Sequence, residues 1–237
     1  MNKTIGILGG MGPLATVDFI NKIIAQTPAK QDQEHLPLII HSVPQIPDRT
    51  ACLMEGKESP LIALNKGLDT LIQAGVGCIV IPCNTAHHWY NDLLTKSRVP
   101  ILHIADACIE EIKREKISSV SLLATDGTNK ANFYPGKLAN ENIAFTAVAL
   151  STQEKVMAGI YKVKAGDISA GGQLLEEALK EALVNGVEKV ILGCTEIPFA
   201  LEHIDSAYLP YTIDATKALS KACVDWYYTE EPIRLLA

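Results

Sequence analysis

The sequence predicts an α/β protein of two lobes, each a parallel sheet covered by helices, the two related by a pseudo-two-fold axis. Three observations carry this. Short β-rich runs and helix-length segments alternate along the chain, the pattern of parallel strands joined by crossover helices. The pattern restarts: Ile5-Gly6-Ile7-Leu8-Gly9 is answered by Val120-Ser121-Leu122-Leu123-Ala124, Cys83 by Cys194 and Pro100 by Pro210, at offsets of 110–115 residues. No low-complexity stretch or flexible linker interrupts the 237 residues, and 48% of them are hydrophobic, ample for packed cores. The expected division gives residues 1–104 and 212–237 to a first lobe and 105–211 to a second.

Taken in order, residues 3–9 read as a strand. A glycine-rich turn, Gly9-Gly10-Met11-Gly12, leads into a helix from Pro13 to about residue 26; proline suits a first helical turn, where its missing N–H is not needed. A buried strand is expected over 36–41. Residues 42–59, with Pro44, Pro47, Asp48 and Arg49, read as a long loop, and such loops inside compact domains are usually functional or disordered. Leu61, Leu64, Leu68, Leu71 and Ile72 recur at helical spacing and predict a helix over 61–74. A strand at 78–82, a helix at 85–96, a strand at 99–104 and a helix at 106–114 complete the first round. The second has a strand at 119–124 and a turn, Thr125-Asp126-Gly127-Thr128, into a helix ending near 138. A strand at 143–148, helices at 152–161 and 167–184, strands at 187–192 and 209–213, and a helix at 214–227 follow.

The formal charge of −6 argues against nucleic acid or an anionic membrane surface as the main partner. No apolar run approaches the ~18–20 residues needed to span a bilayer. Residues 1–6 read as a strand start rather than a signal peptide, so a cytoplasmic, reducing location is expected. There the six cysteines, at 52, 78, 83, 108, 194 and 223, are expected as free thiols. No Cys-x-x-Cys pair occurs, so no structural zinc is expected.

Two stretches stand out: Ile81-Pro82-Cys83-Asn84-Thr85-Ala86-His87 and Leu192-Gly193-Cys194-Thr195-Glu196-Ile197-Pro198. Each follows a Gly-Val pair (Gly75-Val76, Gly186-Val187) and a short apolar run, so each marks a strand end passing into a helix start. Cysteines placed alike in two similar halves can face one cleft from opposite sides, which suits chemistry at a carbon approached from both faces. A helix N-terminus favours a thiolate. Cys78, Cys108 and Cys223 lie within strand or helix runs and read as core. A disulfide between Cys83 and Cys194 is the redox alternative. His87 and His88 lack further ligands nearby and read as helix residues near the pocket or on the surface. Gly10-x-Gly12-x-x-Ala15 has three readings: a dinucleotide fingerprint, a tight strand-to-helix turn, or backbone donors gripping a carboxylate. Against the first, the second strand ends Ile40-His41-Ser42 without a ribose-binding acid, and Pro13 removes a donor.

The chain resembles the pyridoxal-phosphate-independent aspartate/glutamate racemase family over nearly its whole length. The resemblance rests on Gly9-Gly10-Met11-Gly12-Pro13-Leu14-Ala15-Thr16, Pro44-Gln45-Ile46-Pro47-Asp48-Arg49, Pro82-Cys83-Asn84-Thr85-Ala86-His87, Leu123-Ala124-Thr125-Asp126-Gly127-Thr128, Gly159-Ile160-Tyr161 with Lys164-Ala165-Gly166, and Gly193-Cys194-Thr195-Glu196. It implies two Rossmann-like lobes, a homodimer and a cleft between the lobes. It implies Cys83 and Cys194 as the two acid/bases, with Arg49 and Lys164 holding a side-chain carboxylate. Glutamate racemases of this pattern carry His after the second Cys-Thr; Glu196 stands there here and favours the aspartate branch. Hydantoin racemases and malonate decarboxylases share the lobes without the Arg49 and Lys164 pairing.

Inverting an α-carbon needs a proton removed from one face and another delivered to the opposite face, which one thiolate and one thiol on opposite lobes can do. Sulfurs at reacting distance, about 3–3.5 Å from the carbon, stand roughly 6–7 Å apart, beyond disulfide reach. The α-proton is weakly acidic, so the α-carboxylate needs donors; Asn84, Thr85, Thr125, Thr195 and the turn at Met11 are placed to provide them. Arg49 suits a bidentate grip on a distal carboxylate and Lys164 a point-charge contact. Asp48 and Glu196 are candidates to orient groups around the thiols. No residue pattern demands a metal, flavin or pyridoxal phosphate. Glutamate or broader amino-acid racemisation, a two-lobed amino-acid-binding protein and a nicotinamide-dependent oxidoreductase are the competing readings.

Overall fold

The computed structural model describes residues 3–229. Met1, Asn2 and residues 230–237, assigned from the sequence to the first lobe, lie outside the described residues. Two four-stranded parallel sheets are present, ordered β2-β1-β3-β4 and β6-β5-β7-β8. The first comprises β1 (Ile5–Gly9), β2 (Leu38–Ser42), β3 (Cys78–Val80) and β4 (Ile101–Leu102), the second β5 (Ser119–Ala124), β6 (Ala144–Phe145), β7 (Lys189–Gly193) and β8 (Thr212–Asp214). Corresponding strands hold corresponding places, so the sequence repeat is a repeat of topology. The central strands are buried nearly throughout, as expected of parallel sheets covered on both faces.

The helices are α1 (Pro13–Gln26), α2 (Arg49–Glu55), α3 (Leu61–Gln73), α4 (Tyr90–Leu94), α5 (Ile104–Arg114), α6 (Asp126–Ala131), α7 (Phe133–Asn140), α8 (Leu150–Lys164), α9 (Ile168–Val184), α10 (Glu196–His203) and α11 (Ala215–Tyr228). Helices α5 and α11 pack on each other, and their apolar faces share one continuous core with β1, β3 and β5. The core therefore runs from one sheet to the other. Because β8 pairs with β7, residues 212–214 belong to the second sheet, and α11, which follows them, packs on α1 and α5. Among the described residues no helix is long and apolar enough to cross a membrane.

Several expectations change, among them the strand expected to be buried over 36–41, which is the half-exposed β2 at the sheet edge. Residues 42–59 are not all loop: α2 sits inside them, started by Asp48, whose side chain accepts from Ala51 N–H, and stopped by Gly56 in the left-handed region. Seven residues are too few to show a period, and Pro44 and Pro47 masked them. The helix expected over 85–96 is a 3₁₀ turn, Thr85–Trp89, followed by the short α4. The helix after Thr125 breaks into α6 and α7 at Asn132, where φ is 55°. Lys164 lies at the end of α8, and Arg49 opens α2, so neither cation is on a loop.

Cys78, Cys108 and Cys223 are fully buried. Burial pushes the thiols of Cys78 and Cys108 up to about 12, and that of Cys223 in the same direction, so all three behave as small apolar side chains. All six cysteines are free.

Candidate active site

Where β3 and β7 end, the chain turns toward the other lobe, and the two cysteine stretches line one chamber of about 20 Å³. Every residue expected from the sequence to act on, bind or orient the substrate borders it. Cys83, Asn84 and Thr85 come from the turn after β3, Thr125 from the end of β5, and Cys194, Thr195 and Glu196 from the end of β7. Met11, Asp48, Arg49 and Lys164 form the outer rim, because with Glu196 they also line an adjoining vestibule of about 500 Å³. The sequence reading missed Thr50 and Gly193, which border the chamber too.

The lobes meet tightly here. A Cβ on Gly127 would stand 2.8 Å from Thr85 Cγ2 and 2.9 Å from Thr50 Cα, so only glycine lets α6 approach α2 this closely. Thr85 Oγ1 lies 2.9 Å from both Thr125 Oγ1 and Thr128 Oγ1, which are 3.1 Å apart, a closed triangle of hydroxyls bridging the lobes. Thr125 also caps α6 by accepting from Thr128 N–H. Thr128 carried no signal in the sequence beyond its turn.

Arg49 is 8% exposed. Its Nη1 donates to the carbonyls of Ile46 and Pro47 and its Nη2 to that of Met11, so three backbone acceptors hold the guanidinium still. Its Nε is buried without a partner. Both terminal nitrogens are thus already engaged, and Nε is the donor without a partner among the described residues. Asp48 borders the chamber with the two cysteines, and as the cap of α2 it sets the helix that carries Arg49.

The Cys194 thiol donates to Glu196 Oε2 at 2.9 Å, and Thr195 Oγ1 donates to the same oxygen at 3.2 Å. Burial, and then the Glu196 carboxylate, raise the Cys194 pKa well above the ordinary thiol value. This reverses the expectation of a helix-stabilised thiolate: a neighbouring carboxylate and loss of water outweigh the dipole of the eight-residue α10. Cys83 precedes a 3₁₀ turn rather than an α-helix, so the dipole argument does not carry over to it. Lys164 Nζ lies 3.8 Å from Glu196 Oε1. Burial favours its neutral amine, but the Glu196 carboxylate works against that and its pKa is raised, so Lys164 is a cation at neutral pH.

His87 lies under Cys83. Its Nδ1 faces the Cys83 carbonyl at 2.9 Å and its Nε2 faces Ile104 N–H at 3.2 Å; a carbonyl only accepts and an N–H only donates, which fixes the proton on Nδ1. Burial lowers its pKa from 6.5 to about 4. Below pH 6.5 an unfolded chain takes up this proton and the folded chain resists it. The contribution to stability is therefore full above pH 6.5 and declines as pH falls toward 4, by about 2 kcal/mol at pH 5. Urea midpoints at pH 7 and pH 5 test this. His87→Gln is expected to be less stable than the native protein at pH 7 but to lose less on acidification; an equal loss in both proteins contradicts it. His88, by contrast, is exposed.

The glycine-rich turn makes a tight strand-to-helix passage. Gly10 has φ 94°, and a Cβ there would meet the backbone of Val43 and Pro44 at 2.4–2.8 Å, so glycine is needed for the close passage of the β1 and β2 loops. Among the described residues no three His, Cys, Asp or Glu side chains gather as metal ligands.

The chain matches the model of the Asp/Glu/hydantoin racemase family over residues 8–223. It is 31% identical over 229 residues to the broad specificity amino-acid racemase RacX of Bacillus subtilis, covering 94% of this chain and 97% of that one. It superposes on the aspartate racemase of Picrophilus torridus with a TM-score of 0.84 and 33% identity, covering 95% of this chain and 94% of that one. An aspartate racemase homologue from Pyrococcus horikoshii gives a TM-score of 0.75 at 26% identity, covering 96% of this chain and all of that one. Fold, extent and sequence agree, and the chain belongs to the Asp/Glu/hydantoin racemase family.

Proposed function

We propose that this racemase interconverts L- and D-aspartate without a cofactor, Cys83 and Cys194 exchanging protons with opposite faces of the α-carbon. What supports the dicarboxylate reading is a pair of orphan donors. Arg49 Nε and Asn84 Nδ2 are buried, lack partners and belong to side chains lining the same chamber as the two thiols. Buried N–H groups without acceptors are costly and call for an explanation; two carboxylates supply it. Asn84 borders only the inner chamber and Arg49 also the vestibule, so the α-carboxylate goes inward and the distal carboxylate to the rim, beside Lys164.

In the resting site Cys194 carries its proton and is the acid. Cys83, acting as the base, takes the α-proton and Cys194 delivers its own to the opposite face; Glu196, whose carboxylate favours the protonated form of Cys194, draws a proton back to that sulfur in the reverse direction. In the reverse direction the roles exchange, and no net proton is gained or lost. Asn84 Nδ2, the unpartnered donor, stabilises charge as it builds on the α-carboxylate, while Thr85, Thr125 and Thr195, whose hydroxyl protons are engaged, shape the chamber around it. We assign the protein as a cytoplasmic homodimer.

The 31% identity to a racemase named for broad specificity makes a wider substrate range the second reading. The experiment is α-proton exchange in deuterated water with a panel of L-amino acids and no added cofactor. Aspartate is expected to exchange and to yield D-aspartate. Comparable exchange of aliphatic or basic amino acids replaces the aspartate reading with the broad one, and no exchange with any amino acid removes both.

A further inference from the structure

The geometry points to Tyr134 as a positioning residue that fixes which face of the Asn84 amide meets the substrate. The inference rests on the dicarboxylate reading above and concerns a residue that does not line the chamber. Tyr134 stands on α7 of the second lobe, 1% exposed, in the core shared by the two sheets. Its hydroxyl crosses to the first lobe and lies 2.7 Å from Asn84 Oδ1; on its other side Cys108 Sγ lies 3.5 Å away.

The two ends of an amide are alike in shape, so the partners decide its orientation. A buried phenol must donate its proton, and sulfur is a weak acceptor. The Tyr134 proton therefore goes to Asn84 Oδ1, and Cys108 S–H turns to the phenol oxygen. This chain of three groups leaves Asn84 Nδ2, buried and unpartnered, as the amide's free end. Asn84 then offers two N–H donors to a carboxylate and no acceptor to an ammonium group. With the amide turned over, the oxygen would meet the incoming carboxylate and the phenol would keep only sulfur to donate to. A side chain outside the chamber thus sets the polarity of its inner end, and with it the end of the zwitterion that enters first.

A double-mutant cycle tests this, because a positioning role disappears when the positioned group is gone. The probe is succinate, a dicarboxylate that cannot racemise, its Kd measured by calorimetry for the native protein, Tyr134→Phe, Asn84→Ala and the double variant. Tyr134→Phe is expected to weaken succinate roughly tenfold, the scale of one hydrogen bond to a charged group. In the Asn84→Ala background the same change is expected to have no further effect. Phe133→Leu, at a ring whose centroid lies 5.0 Å from that of Tyr134, is the packing control and is expected to stay within about twofold of native. If the losses from Tyr134→Phe and Asn84→Ala multiply, Tyr134 acts through packing and the inference is overturned. A native protein that does not bind succinate overturns both this inference and the dicarboxylate reading. A native protein that shows the cycle but exchanges no α-proton sinks only the racemase chemistry.

Discussion

Cys83→Ser and Cys194→Ser are expected to fold as the native chain does and to lose racemisation by at least ~10²–10⁴-fold, the contribution of a positioned acid–base group. Serine nearly matches cysteine in shape, but its hydroxyl is far less acidic. The expectation draws on the placement of both thiols around one chamber and on the protonated state of Cys194, held by burial and by Glu196. One base remains in each variant, so each is expected still to exchange the α-proton of one enantiomer, and the two variants to prefer opposite enantiomers. Alanine at Cys78, Cys108 or Cys223 is expected to cost about 1 kcal/mol of stability and to leave racemisation in place. Near-native racemisation in both directions by either serine variant overturns the two-thiol mechanism.

Arg49→Ala carries the second large effect. Its guanidinium is pinned by the carbonyls of Met11, Ile46 and Pro47, with Nε left without a partner among the described residues. Losing a hydrogen-bonded charge at the distal carboxylate is expected to lower kcat/KM for aspartate by roughly 10–100-fold. Most of that should appear in KM, with a fall in kcat to the extent that the distal grip holds the α-carbon between the thiols. Arg49→Lys keeps the charge but not the planar set of donors, so it is expected to recover little. Steady-state kinetics that are unchanged in Arg49→Ala remove this residue from the site.

The parts legible in the sequence were those written locally. The two cysteine stretches each follow a Gly-Val turn and an apolar run, so their shared place at a strand end could be read from contiguous residues, and the duplicated sheets followed. The parts that were not legible depend on contacts between distant residues. Tyr134 sits in a helical run like any core aromatic, and its partner Asn84 is fifty residues away. Thr128 gains meaning only when Thr85 of the other lobe completes the triangle. Helix α2 needed its Asp48 cap and Gly56 stop to be recognised inside a proline-marked stretch. The protonation of Cys194 went the other way because a helix start was visible in the sequence and the strength of a buried carboxylate two residues on was not.

The chamber between the lobes has a consequence for turnover. At about 20 Å³ it holds on the order of one water molecule. Under the two-thiol mechanism each conversion leaves the pair with its proton on the other sulfur. A molecule that has just turned L to D is thus loaded for D, not for another L. Before it can repeat the same direction, a proton must travel from one sulfur to the other or through the solvent of the adjoining vestibule. The empty protein therefore keeps a record of the hand it last released, and at high concentrations of one enantiomer the erasure of that record, rather than the chemistry at carbon, becomes the slow step.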